Sequence, residues 1–261
     1  MSSDKDKKVS LRLLGQSGFR MEFNNTVLYI DPYLSDSVRK FDSPELERLI
    51  PIPINPEEIN DADWVLLTHD HLDHCDPETV GKIAIHSPSC KFYGPISVIK
   101  LLRSWGFDES RLVLCSENEH EVLADGINIR ITPAAHPEIT RDENGRFCCV
   151  GFLLSFEGKL VYISGDTCIT DELYDFLKEL PVINVAMLPI NERNYFKERF
   201  GTIGNMSVRE AFTLAHELKI EKVIPSHGDM FHIHSVSKEE LEVVHRDFNF
   251  DFELLINPTE L

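Results

Sequence analysis

Positive charge is what this sequence is short of. It carries 26 Lys and Arg against 44 Asp and Glu, a formal net charge of −18 over 261 residues. Nucleic-acid binding and docking on an anionic membrane both need clustered cations, so neither partner is expected. A small anionic substrate is not excluded, because a bound metal brings its own positive charge. Long apolar runs are missing too. None approaches the roughly 20 residues that span a bilayer, and Met1 to Lys8 is polar where a signal peptide would be apolar. The expected location is the cytoplasm. The six cysteines (Cys75, Cys90, Cys115, Cys148, Cys149 and Cys168) include no C-x-x-C pair. Packed thiols are expected rather than a disulfide framework. Low-complexity segments, short repeats and linkers are also absent. At roughly 150 residues per domain the length allows one large domain or two small ones. We read residues 1–261 as one.

What is there begins with strands. Val9 to Leu14, Phe19 to Phe23 and Val27 to Ile30 are short apolar runs separated by turn residues. A long loop from Leu34 to Ile59 follows, with a short helix expected at Pro44 to Leu49. Such loops are often functional, and this one is a candidate wall of a site. Trp64 to Leu67 reads as a buried strand. Asp76-Pro77-Glu78 looks like a helix start, with Asp as cap and Pro in the first turn. A second helix is expected from Pro95 to about Trp105. Strands follow at Arg111 to Leu114, Glu119 to Leu123, Ile127 to Pro133, Phe147 to Phe156 and Lys159 to Ser164. Helices are then expected at Asp171 to Leu180, Ser207 to Leu218 and Lys238 to Val244, alternating with strands at Val182 to Pro189, Lys222 to Pro225 and Phe250 to Leu255. Ser207 with Glu210 three residues on makes a capping box. Strands come first, then strands mixed with helices, and the progression repeats. The helices are too few to cover both faces of one long parallel sheet. Two facing mixed sheets with helices outside, an α+β arrangement, fits better.

The chemistry concentrates in Thr68-His69-Asp70-His71-Leu72-Asp73-His74, directly after the strand at Trp64 to Leu67. Neutral imidazole and carboxylate are ligands for divalent metals. His69 and His71 are two apart, so in an extended segment both reach the same side. Asp73 and His74 follow the turn and can serve a second metal. Asp70 points the other way, which suits support of a ligand. Three further strands end on one ligand-type residue each: Ile129 to Ala135 on His136, Leu160 to Ser164 on Asp166, and Val223 to Ser226 on His227. Ends at one sheet edge lie side by side, so their ligands can converge.

This set, His-x-His-x-Asp-His followed by a His, an Asp and a His each after a strand, resembles the metallo-β-lactamase superfamily. The resemblance runs from about Val9 to His234. It implies a four-layer αβ/βα sandwich with metals at one edge. It also implies that His69, His71 and His136 hold the first metal, that Asp73, His74 and His227 hold the second, and that Asp166 bridges them. The β-lactamases use Cys in the second site, where this chain offers Asp166. Members that reduce oxygen resemble His-x-Glu-x-Asp-His, where this chain has His71. Both departures point away from those activities. Leu188-Pro189-Ile190-Asn191, Gly201-Thr202-Ile203-Gly204-Asn205-Met206 and Ile224 to Phe231 look like the L-ascorbate-6-phosphate lactonase branch.

The resemblance implies a hydrolase that opens an ester or lactone with water acidified by the metals, Asp73 taking or shuttling the proton. All-N/O ligation permits one or two ions of Mn or Zn, with Fe also compatible. Gln16, Asn191 and Asn205 are candidate substrate contacts, and Arg193, Lys197 and Arg199 a candidate phosphate site. Asp31 is a candidate carboxylate for orienting a ligand His, or simply a strand-end turn before Pro32. His232-x-His234 lacks the companions of a metal site; surface or supporting roles are expected there, and ordinary ones for His86, His120, His216 and His245. The expected partner is a small-molecule substrate, phosphorylated or not. A homo-oligomer stays open. A phosphodiesterase, or a metabolite-binding module without turnover, remains an alternative.

Overall fold

The computed structural model describes residues 8–117, 121–199 and 201–261. His120 and the start of the strand expected at Glu119 to Leu123 lie outside the described residues. The chain opens with β1 (Ser10–Gly15), β2 (Gly18–Phe23) and β3 (Thr26–Ile30), and continues through α1 (Ser37–Phe41), β4 (Trp64–Leu66), α2 (Pro77–His86), β5 (Lys91–Gly94), α3 (Ile96–Ser104) and β6 (Leu112–Leu114). Among the described residues these strands form one sheet in sequential order, antiparallel from β1 to β3 and parallel from β3 to β6.

The second half repeats the plan with β7 (Glu121–Ala124), β8 (Ile127–Pro133), β9 (Val150–Phe156), β10 (Lys159–Ile163), α4 (Asp171–Lys178), β11 (Val185–Pro189), α5 (Tyr195–Arg199), α6 (Val208–Glu217), β12 (Lys222–Ser226), α7 (Lys238–Asp247) and β13 (Glu253–Leu254). The strands from β7 to β10 are antiparallel neighbours and those from β10 to β13 parallel.

Alternation decides the layers. In β9, Phe152, Leu154 and Phe156 face the first sheet, where they pack with Met21, Leu28, Ile30 and Leu66, while Leu153 faces outward to Leu173 and Phe212. Side chains two apart share a face, so one strand serves two cores. On the far side of the first sheet, Val65, Leu67 and Phe92 pack against Val80, Ile83, Val98 and Leu102 of α2 and α3. The result is the expected four-layer sandwich with helices outside. The helix caps hold as well. Asp76 accepts from the backbone N–H groups of Glu78 and Thr79, and the Ser207–Glu210 capping box is closed in both directions. Each such cap contributes about 1 kcal/mol.

One expected element moves. The short helix of the long loop lies at Ser37–Phe41, not at Pro44 to Leu49. Arg48 is drawn out of helical geometry. Its backbone bridges Phe231, its Nη1 donates to the carbonyls of Tyr33 and Ser35, and its guanidinium lies 4.9 Å from the Tyr33 ring. That latch ties the loop to the segment after β12 and sets it beside the sheet edge. The five-residue helix α5, capped by the Asn194 side chain, was not anticipated.

Candidate metal centre at the sheet edge

The ends of β3, β4, β8, β10 and β12 meet at one edge of the sandwich. Backbone hydrogen bonds tie the two sheets there: Val150 N–H donates to the Thr68 carbonyl, and His227 N–H to the Gln16 carbonyl. Several of these strand ends turn through the left-handed region, with φ of +56° at Gln16, +40° at Asp31 and +60° at His227. Non-glycine residues adopt that conformation uncommonly, in turns and at functional sites. Gly165, just before Asp166, has φ +60°, and a Cβ there would lie 2.9 Å from the Thr68 side chain. Glycine lets the β10 end pass the β4 end closely enough for their ligands to meet.

The expected residues converge. One ligand atom each from His69, His71 and His136 lie within 4.8 Å of one another, and so do those of Asp73, His74 and His227. His69, His74 and Asp166 form a third such trio that shares members with both. Asp166 Oδ1 lies 3.2 Å from His74 Nε2, and its Oδ2 lies 3.2 Å from His227 Nε2 and 3.7 Å from His136 Nε2.

Buried hydrogen bonds set which nitrogens face inward. Asp31 is 1% exposed; its Oδ1 accepts from Thr68 N–H at 2.8 Å, and its Oδ2 from Thr68 Oγ1 at 2.6 Å and from His74 Nδ1 at 2.8 Å. Thr68 Oγ1 in turn lies 3.0 Å from His69 Nδ1. Both histidines thus carry their proton on Nδ1 and direct an Nε2 lone pair into the cluster. Asn205 Oδ1, 3.1 Å from His136 Nδ1, does the same for that ring. His69 Nε2 is buried with no hydrogen-bond partner, and the buried His74 Nε2 and Asp166 Oδ1 have only each other, at 3.2 Å. Buried polar atoms are seldom left so. Three such atoms within 4.8 Å of one another fit a divalent cation once His74 is neutral, and the N/O donor set fits Zn, Mn or Fe.

Electrostatics agree. Burial pushes the carboxyls of Asp73 and Asp166 up, but His74 and His227 outweigh it and hold both well below the usual range. Burial and the neighbouring imidazoles push His69 down, and burial lowers His136. Burial also disfavours charge on His74 and His227, yet Asp166, Asp73 and, for His74, Asp31 prevail. His74 is raised, and His227 is raised to about 9. Without metal the His227 imidazole is therefore charged at pH 7. Metal ligation needs it neutral. Metal uptake at pH 7 is expected to release at least about one proton per chain and to strengthen as pH rises toward 9. Calorimetry in buffers of different ionisation enthalpy reads the number. A heat independent of buffer would contradict this charge state.

Other expected site residues sit elsewhere than at a substrate. Gln16 is buried behind the cluster, its Nε2 donating to Asp73 Oδ2 at 2.6 Å and lying 3.1 Å from His227 Nε2. Asn205 is spent on His136. Asn191 is fully buried, its carbonyl accepting from the Lys197 ammonium and lying 3.4 Å from His234 Nδ1. Of the basic trio, Lys197 is buried, while Arg193 and Arg199 are exposed. Arg193 pairs with Glu198 at 3.0 Å, Lys197 is buried on the carbonyls of Asn191 and Glu192, and Arg199 donates to the Tyr195 hydroxyl. Asp70 is exposed at the cavity and, among the described residues, makes no hydrogen bond to a cluster histidine. His234 lies beside His227 with ring centroids 5.8 Å apart and lines the cavity, whereas His232 is exposed. All six cysteines are free.

Thr68 is the functional residue the sequence did not single out. Its signal was adjacency to the His cluster, but its link to Asp31 crosses 37 residues. Above the cluster lies a cavity of about 400 Å³, reached by His71, Asp73, His136, Asp166 and His227 from below.

Two facing αβ layers with a buried His/Asp cluster at their shared edge define a metallo-β-lactamase fold with a metal-binding site. The sequence profile described as "Beta-lactamase superfamily domain" matches residues 26–228, and the chain belongs to that family. Relatives described as UPF0173 metal-dependent hydrolases include one from Pyrobaculum neutrophilum, 27% identical over 226 residues covering 85% of each chain. Another, from Thermococcus kodakarensis, is 28% identical over 220 residues covering 84% of each. Among solved structures, the isothiocyanate hydrolase from Delia radicum gut bacteria superposes with a TM-score of 0.75 at 19% identity, covering 98% of this chain and 97% of that one. Igni18, a metallo hydrolase from Ignicoccus hospitalis, superposes with 0.71 at 22%, covering 97% of each. The protein is a metal-dependent hydrolase.

Proposed function

We propose that the protein hydrolyses an ester or lactone bond of a small molecule at a two-metal centre. His69, His71 and His136 would hold one ion, Asp73, His74 and His227 the other, with Asp166 between them. The convergence of these seven side chains beneath an open cavity carries the proposal. A bound divalent ion supplies Lewis acidity that acidifies water and polarises a carbonyl. Mn or Zn is the expected metal.

The chain's own groups do the rest. Asp73 both belongs to the cluster and lines the cavity, at 19% side-chain exposure, so it stands where the attacking water must lose its proton. Gln16 Nε2 and His227 Nε2 hold its Oδ2 and fix the carboxylate. The water oxygen adds to the carbonyl carbon, the acyl C–O bond breaks, and the proton passes to the departing alkoxide by way of Asp73. The hydroxyls of Ser43 and Thr202 line the cavity as neutral hydrogen-bond partners for the substrate. The lactonase-like stretches at Leu188 to Asn191 and Gly201 to Met206 support a lactone, and burial of Lys197 on backbone carbonyls leaves Arg193 and Arg199 as the exposed cations of the trio.

The test is a substrate screen on metal-free protein and on protein reloaded with Mn or Zn, across lactones, esters, thioesters and phosphodiesters. Lactone or ester turnover that needs metal and vanishes in His71→Ala is the expected outcome. Turnover confined to phosphodiesters, or none at all, rejects the proposal.

A further inference from the structure

The cavity has two kinds of wall. Val38 and Leu46 come from the long loop, Leu72 from the His cluster, Phe231 from the segment after β12, and Ile203 from the loop after α5. Leu46, Leu72 and Ile203 present the apolar surface above the cluster, and the buried Val38 and Phe231 back it. Phe41, one residue before the lining residue Asp42, is 63% exposed, and Ile203 is 41% exposed. The second wall is acidic. Asp42 and Asp70 both line the cavity and are exposed, and among the described residues neither has a cationic partner within 4.0 Å. No Lys or Arg lines it among those residues.

We propose that this cavity selects an ester or lactone bearing an uncharged apolar substituent, held by Leu46, Leu72 and Ile203, and that Asp42 and Asp70 turn away substrates whose far end is anionic. The proposal rests on ester or lactone hydrolysis at the cluster below. Apolar walls favour apolar groups because contact removes their surface from water. Bound metal at the floor would attract an anion, so the selection falls on the far end of the substrate, where the exposed carboxylates of Asp42 and Asp70 raise the cost of a negative charge by an amount that salt screens. The cluster carboxylates Asp73 and Asp166 face the ligand histidines. Asp42 and Asp70 therefore set the charge at the mouth.

The experiment compares kcat/KM of the Mn- or Zn-loaded protein for γ-butyrolactones with alkyl chains from methyl to hexyl and for a lactone of equal chain length ending in carboxylate. We expect kcat/KM to rise roughly two- to fourfold per methylene until the wall is covered. The carboxylate-ended lactone should fall at least about tenfold below its alkyl counterpart. Asp42→Asn with Asp70→Asn should close roughly three- to tenfold of that gap at low ionic strength and little at high. Ile203→Ala, at a side chain too exposed to threaten folding, should flatten the gain with chain length. Without turnover, titration calorimetry of the metal-free protein with alkyl γ-butyrolactams should give the same order of affinity. Turnover indifferent to chain length, or favouring the carboxylate, overturns this inference alone. Absence of turnover on every lactone and ester overturns hydrolysis alone, and lactam affinities indifferent to chain length then overturn the inference as well.

Discussion

Replacing Asp166 by Asn is expected to lower kcat/KM on the order of 10³-fold or more. The same change should reduce metal content, with the far-ultraviolet spectrum unchanged. The side chain is 4% exposed and near-isosteric with Asn, so shape is kept while charge is lost. That charge matters at three places at once. Oδ1 faces His74 Nε2, and Oδ2 faces His227 Nε2 and His136 Nε2. No other carboxylate touches both halves of the cluster in this way. Asp73 lies 3.2 Å from His227 and 3.7 Å from His74 but lines the cavity, and its neighbours belong to one half. An Asp166→Asn variant that keeps its metal and its rate would remove the bridging role assigned here. A variant that lost helicity would be replaced by Asp166→Glu, which keeps the charge and displaces it; there the loss should be smaller than for Asn.

The second large effect is on stability. Asp31→Ala is expected to destabilise the fold by about 3–5 kcal/mol, read by denaturant unfolding of the metal-free protein. Three donors lose their acceptor: Thr68 N–H, Thr68 Oγ1 and His74 Nδ1. All sit in buried residues, so water cannot replace the carboxylate. The same change releases the His74 ring and, through Thr68, the His69 ring. Metal affinity should then fall by roughly 10- to 100-fold, the usual cost of removing a ligand's support. A merely structural Asp31 would lower stability and leave affinity intact, so the affinity measurement discriminates. Thr68→Val tests the same relay from its middle. It keeps the volume and breaks only the hydroxyl links, and it should weaken metal binding while costing less stability than Asp31→Ala.

These residues show where the sequence was readable. The seven members of the cluster stand at strand ends, and strand ends are visible as apolar runs stopping at a polar residue. Topology then does the convergence, because the β3, β4, β8, β10 and β12 ends meet at one edge. The layering was readable too, since alternation in β9 separates Phe152 and Leu154 from Leu153.

Loop residues were harder, for a physical reason. Gln16, Asn191 and Asn205 have the chemistry of substrate contacts, and only packing decides which side of a turn an amide faces. All three turn inward: Gln16 onto Asp73, Asn205 onto His136, and Asn191 into the protein. Of the basic trio only Lys197 turns inward, onto two backbone carbonyls, while Arg193 and Arg199 stay exposed. The loop helix shifted from Pro44–Leu49 to Ser37–Phe41 because Arg48 is claimed by Tyr33, Ser35 and Phe231, a contact no local propensity records.

The central claim is that His69, His71, Asp73, His74, His136, Asp166 and His227 together hold the metal that the hydrolase uses. Anomalous diffraction from a crystal grown with Mn or Zn tests it most directly. The account predicts anomalous peaks within the cluster, one among His69, His71 and His136 and one among Asp73, His74 and His227, with Asp166 between. Peaks at other residues, with this cluster unliganded in catalytically active protein, would contradict it.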